Sequence, residues 1–133
     1  MMGVEIKCLA LMSAISCPVG SRPEGAPKLS GKLRLRLTPG SLVHRVYHQP
    51  EIAVVEEQFA CNYELNPTFQ SVVQERGLHI TGLGERGEAR IVELPGHRFF
   101  VATLYLPQFG SVANRPHALI RRYLEAVLGA ANG

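Results

Sequence analysis

From Lys32 to Leu37 the chain alternates strictly, with Leu33, Leu35 and Leu37 on one side and Lys32, Arg34 and Arg36 on the other. That two-residue period predicts a strand with one buried and one basic, solvated face. Phe99 to Leu106 follows a different rule: it contains no charge and no Gly, and it is rich in aromatic and β-branched residues. Such a run predicts a strand covered on both faces, in the middle of a sheet, left at Pro107 and loosened at Gly110. A third pattern closes the chain. Beyond Arg115-Pro116, the residues Leu119, Ile120, Tyr123, Leu124, Val127 and Leu128 repeat at helical spacing and predict one apolar stripe packed on the sheet.

Between these landmarks the elements follow local chemistry. Ile6 to Ile15 is apolar except for Lys7, Cys8 and Ser13 and reads as a strand; residues 16–31, with three Pro and three Gly, read as a loop. Thr38-Pro39-Gly40 predicts a turn, and Ser41 caps a short helical segment running to Tyr47. Ile52 to Leu65 reads as a strand or bent hairpin arm. Asn66-Pro67 starts a helix that places Phe69, Val72 and Val73 on one face and stops at Gly77. Leu78 to Leu83 and Arg90 to Leu94 form a strand pair across the polar turn 84–87.

Composition narrows the class. With 133 residues, 46% hydrophobic and 19% charged, the chain suits one α/β domain over 1–133. The formal charge of +3 is scattered, so no nucleic-acid footprint is expected. No run reaches the length of a membrane span, and no membrane association is expected. Cys8, Cys17 and Cys61 form no C-x-x-C pair, which fits a reducing, cytoplasmic setting. His44 and His48 lie four apart with Glu51 behind them, but a metal needs three or four converging ligands, so they read as ordinary exposed histidines. No motif asks for a cofactor, and none is expected.

The run His97-Arg98-Phe99-Phe100-Val101-Ala102-Thr103-Leu104-Tyr105-Leu106-Pro107-Gln108-Phe109-Gly110-Ser111 resembles the end of the glutamine amidotransferase domain of CTP synthase. That family reads approximately His-Pro-Phe-Phe-Val-Ala-Thr-Gln-Phe-His-Pro-Glu-Phe-x-Ser. There the second His and the Glu complete a Cys-His-Glu triad that takes ammonia from glutamine. Here Leu106 and Gln108 stand at those positions; Leu cannot accept a proton, and neutral Gln cannot supply the carboxylate that orients an imidazolium. Glu57-Gln58-Phe59-Ala60-Cys61-Asn62-Tyr63-Glu64-Leu65-Asn66 is similar to the family's Glu-Arg-His-Arg-His-Arg-Tyr-Glu-Val-Asn. Glu57, Tyr63, Glu64 and Asn66 match, while the basic stretch between them is replaced. The resemblance runs from about Lys32 to Ala131 and extends to proteins described as related to the C-terminal region of CTP synthase, some considered selenoproteins.

The resemblance implies a partial flavodoxin-like glutamine-amidotransferase fold with a mixed sheet and flanking helices. It also implies Tyr63, Glu64 and Asn66 as ligand-binding positions. No Gly-x-Cys-x-Gly nucleophile turn occurs in the sequence. The expectation is therefore a non-catalytic amidotransferase-like module whose open sheet edge is covered by a second copy or a protein partner. Two alternatives stand beside it. One is a hydrolase or redox enzyme using Cys17, or Cys61 at a family His position. The other is the C-terminal part of a longer glutamine-hydrolysing protein whose reading frame starts upstream of Met1-Met2, as a UGA read as a stop would produce.

Overall fold

The computed structural model describes residues 12–14, 27, 29–47, 51 and 53–132. Most of the predicted strand from Ile6, most of the loop 16–31, and Cys8, Cys17 and His48 lie outside the described residues. In chain order the elements are β1 (Met12–Ala14), β2 (Ser30–Leu37), α1 (Leu42–Val46), β3 (Val54–Ala60), β4 (Tyr63–Leu65), a 3-10 turn (Pro67–Phe69) and α2 (Gln70–Glu75). They continue with β5 (His79–Leu83), β6 (Ala89–Glu93), β7 (Val101–Thr103), a second 3-10 turn (Pro107–Gly110) and α3 (Ala118–Asn132).

Strand β2 obeys its alternation: Leu35 and Leu37 are buried and Leu33 half-buried, whereas Lys32, Arg34 and Arg36 are exposed. It pairs with β3 from Ser30↔Ala60 to Arg36↔Val54, and its last residues reach β5 at Arg36↔Leu83 and Leu37↔Gly82. The five-stranded sheet has the order β3-β2-β5-β6-β7, and β1 pairs with β4 in a separate ribbon. The α/β class holds. Every described pairing is antiparallel, where the resemblance led to a mixed sheet. The β5–β6 and β6–β7 connections are too short for the crossover that a parallel pair requires.

Two glycines let the β5–β6 hairpin close. A Cβ on Gly82 would lie 2.5 Å from Ile91 Cδ1, and the register shifts at this residue. A Cβ on Gly84 would lie 2.0 Å from Glu88 Oε1. The bend in the arm after β3 has a local cause as well. Cys61 N–H donates to Leu29 O at 2.9 Å, and Asn62 Oδ1 accepts from Leu29 N–H at 2.8 Å. Those bonds draw the chain out of the five-stranded sheet, and β4 pairs with β1 instead.

The core has two parts. Leu35, Leu37, Val43, Val46, Ile91, Tyr105 and Leu119 join α1 and the start of α3 to one face of the sheet. Leu65, Val73 and Ala89 form a smaller cluster with α2 and β4.

Three expectations need correction here. The run Phe99–Leu106 is not a central strand: only Val101–Thr103 pairs as a strand, and β7 is the last in the sheet order. Its apolar residues leave the sheet in different directions, Phe99 and Tyr105 packing in the first cluster and Leu104 in the second. The helix after Asn66-Pro67 opens with a 3-10 turn, and Val72 is exposed while Val73 is buried. The stripe on α3 is covered only in part. Leu119 is buried and Ile120 half-buried, but Tyr123, Leu124, Val127 and Leu128 are 46 to 62% exposed.

Candidate functional site

On β3 the inward positions run Val55, Glu57, Phe59, so a carboxylate takes an apolar slot and is 7% exposed. A buried carboxylate requires donors. Three elements bring them. Tyr47, which caps the C-terminus of α1, donates its hydroxyl to Glu57 Oε1. Tyr105, just past β7, places its hydroxyl 2.9 Å from that of Tyr47. His117, at the start of α3, holds Nε2 2.6 Å from the same Oε1. Its ring stands edge-on to Tyr47 at 5.8 Å.

The tautomer of His117 follows from its other bond. Nδ1 accepts the Leu119 N–H at 3.1 Å, so the proton of the neutral ring sits on Nε2 and is donated to Glu57. The ring thus caps the first turn of α3, and the His117 N–H is itself taken by Ser111 Oγ at 2.7 Å. Burial pushes both tyrosine hydroxyls far above their ordinary range. Tyr47 is raised further by Tyr105 and by its bond to Glu57. They remain donors at any physiological pH. The cluster borders a cleft of about 480 Å3 lined also by Lys32, Glu56, Gln58, Arg115 and Arg121. Because both imidazole nitrogens are engaged, the pair is built to join α1, β3 and α3, and no nitrogen is left to take a proton from a nucleophile.

Leu106 and Gln108 lie beside this cluster. Leu106 N–H donates to Gln58 O at 2.8 Å, and Gln58 Nε2 donates to Phe109 O at 3.4 Å, which straps the Pro107–Gly110 turn to β3. Leu106 is half-buried and Gln108 exposed. Neither makes a contact that would substitute for an imidazole or a carboxylate.

Tyr63, Glu64 and Asn66 go separate ways. Tyr63 is 55% exposed. Glu64 is buried in a second polar cluster. Its Oε2 takes Arg86 Nη2 at 2.7 Å and lies 3.7 Å from Arg90 Nη2, while Oε1 takes Arg86 Nη1 at 3.4 Å. Arg90 also reaches Glu88 Oε1 through Nε and Nη2, both at 3.3 Å, and its guanidinium lies 5.7 Å from the Phe59 ring centroid. Asn66 caps the 3-10 turn, Oδ1 accepting the Thr68 N–H at 3.1 Å. Cys61 is half-buried, and its Sγ accepts the Tyr63 N–H at 3.4 Å.

His44 is buried, contrary to the expectation of an exposed histidine. It lies on the inward side of α1, and its Nδ1 accepts the Gly40 N–H at 3.2 Å. Among the described residues no three His, Cys, Asp or Glu side chains converge on a metal position.

Nothing next to Tyr47, Tyr105 or His117 in the sequence marks them as partners of one carboxylate. A signal was present in Glu57, an acid on the apolar parity of a strand, which announces a buried network without naming its partners.

No family model matches the chain. It is 39% identical over 114 residues to the CTP synthase of Rubrobacter xylanophilus and 36% identical over 104 residues to that of Pelotomaculum thermopropionicum. These alignments take in 85% and 77% of this chain, which spans only about a fifth of each enzyme's length. In structure it resembles the glutaminase domain of Trypanosoma brucei CTP synthase, solved with acivicin bound. The TM-score is 0.73 at 23% identity, over 92% of this chain and 46% of that one. The chain is a homologue of the glutamine amidotransferase domain of CTP synthase and carries the fold of about half of that domain.

Proposed function

We propose that this chain is an amidotransferase-like binding or interaction module that does not hydrolyse glutamine. The observation that carries the reading is Leu106 and Gln108, which stand where the family resemblance puts the acid-base histidine and its orienting glutamate. A missing base and a missing orienter together remove most of the rate advantage of such a site. The neighbouring imidazole supports the same reading, since both nitrogens of His117 are occupied. Among the described residues no strand pairs with the outer edge of β7, a feature that accepts a strand from another chain. The three cysteines without a C-x-x-C pair support a cytoplasmic setting.

Ammonia release from glutamine by the purified chain tests this. The expected rate equals that of a heat-denatured sample. Release that survives Gln108→Ala but is abolished by Cys17→Ser or Cys61→Ser overturns the reading in favour of a thiol enzyme on the same scaffold.

A further inference from the structure

Where β6 ends and β7 begins, at the opposite end of β7 from the Pro107–Gly110 turn, the surface opens into a cleft of about 790 Å3. That volume suits a whole small metabolite. Thr81 lines it but is 5% exposed, and its hydroxyl oxygen is closed off from the cleft, so the open surface is set by the other side chains.

The walls carry Arg45, Arg98 and Arg122. None of the three lies within ion-pair distance of a carboxylate among the described residues. Arg45 spends one N–H on Gly40 O at 2.7 Å and keeps the rest of its fork. The one lining carboxylate, Glu93, is committed elsewhere, because its two oxygens accept the Leu42 and Val43 N–H groups at 2.9 and 3.1 Å. Three guanidiniums against one carboxylate leave the cleft with surplus positive charge. Phe100, 42% exposed, gives it an apolar side.

We propose that this cleft binds the phosphate ester of a small metabolite. A carboxylate offers two oxygens and saturates one guanidinium fork, whereas a phosphate monoester offers three terminal oxygens and about two charges. Only the latter has a terminal oxygen for each of three forks. In the complex the arginines take the phosphoryl oxygens, and the organic body lies against Phe100. The site shares no residue with the Leu106–Gln108 turn, so it stands whether or not the chain hydrolyses glutamine.

Calorimetric titration of the full chain with pyrophosphate and with ribose 5-phosphate, in 0.15 M NaCl, tests the assignment. Both are expected to bind saturably at one site. Arg98→Gln and Arg122→Gln each weaken binding at least tenfold, while Arg34→Gln, an exposed arginine of β2, changes it less than twofold. Absence of saturable binding overturns the proposal. So does an Arg34→Gln loss equal to that of Arg98→Gln, or binding of a single-stranded oligonucleotide without binding of either small phosphate.

Discussion

Glu57 on β3 and Glu64 on β4 belong to one continuous arm, both are buried, and each is neutralised in a different way. Glu57 is held by uncharged donors, a tyrosine hydroxyl and a neutral imidazole, with a second tyrosine behind the first. Glu64 is held by guanidiniums, one half-exposed on Arg86 and one buried on Arg90, whose Nη1 has no hydrogen-bond partner. The first arrangement buries one charge inside a set of satisfied hydrogen bonds. The second buries several charges that depend on one another, and removing any one leaves the rest uncompensated. The difference shows that a carboxylate beside an imidazole at the edge of a cleft need not be a reactive pair. What decides is whether an imidazole nitrogen is left over.

The Glu64 cluster is the more sensitive of the two. Glu88→Ala deprives Arg90 of both of its bonds to that residue and Arg86 N–H of its acceptor. A loss of about 3–5 kcal/mol is expected in urea denaturation. Replacing Glu88 and Arg90 together by Leu and Met is expected to cost less than Glu88→Ala alone, because no unpaired charge remains. The Glu57 cluster responds less. Glu57→Gln keeps an acceptor for Tyr47 but loses the charge, for an expected cost of about 1–3 kcal/mol by the same measurement.

Alkaline pH sharpens the contrast further. Burial raises the folded-state pKa of Tyr47 and Tyr105 above the ordinary value of 10.0, so above that pH the unfolded chain releases protons that the folded chain keeps. Their contribution is fully present below about pH 10 and falls as pH rises toward the folded pKa, by about 1.4 kcal/mol per unit for each tyrosine. Tyr105→Phe is expected to halve that slope in denaturation curves collected between pH 10 and 11. The smallest effect belongs to the surface. Lys32→Ala breaks the 3.0 Å pair with Glu56, whose partners are 70% and 56% exposed, and is expected to change stability by less than about 0.5 kcal/mol.

The elements that were legible in the sequence were those whose signal is local. The alternation of β2, the Ser41 cap, whose Oγ accepts the His44 N–H at 3.1 Å, and the turn between β5 and β6 all follow from adjacent residues. What was not legible depends on neighbours. Phe99–Leu106 reads as a central strand because hydrophobicity reports that side chains are buried and says nothing about how many strands flank them. Conversely β6 carries two charged residues, Arg90 and Glu93, inside five. Yet Ala89, Arg90, Ile91 and Glu93 are all buried, because Glu64, Glu88 and the N–H groups of α1 wait for the charges. The site was half legible. Leu106 and Gln108 sit in one continuous run of sequence, but Tyr47, Tyr105 and His117 come from three elements that only folding brings to Glu57.

We infer that the scaffold of a glutamine-hydrolysing domain persists here without its reacting groups, and covalent trapping probes this at the thiols themselves. The chain is incubated with an electrophilic chloroketone analogue of glutamine, and its intact mass is followed over time. An unchanged mass is expected, or slow modification that glutamine does not suppress. One stoichiometric adduct on Cys17 or Cys61 that forms rapidly and is blocked by glutamine would contradict it.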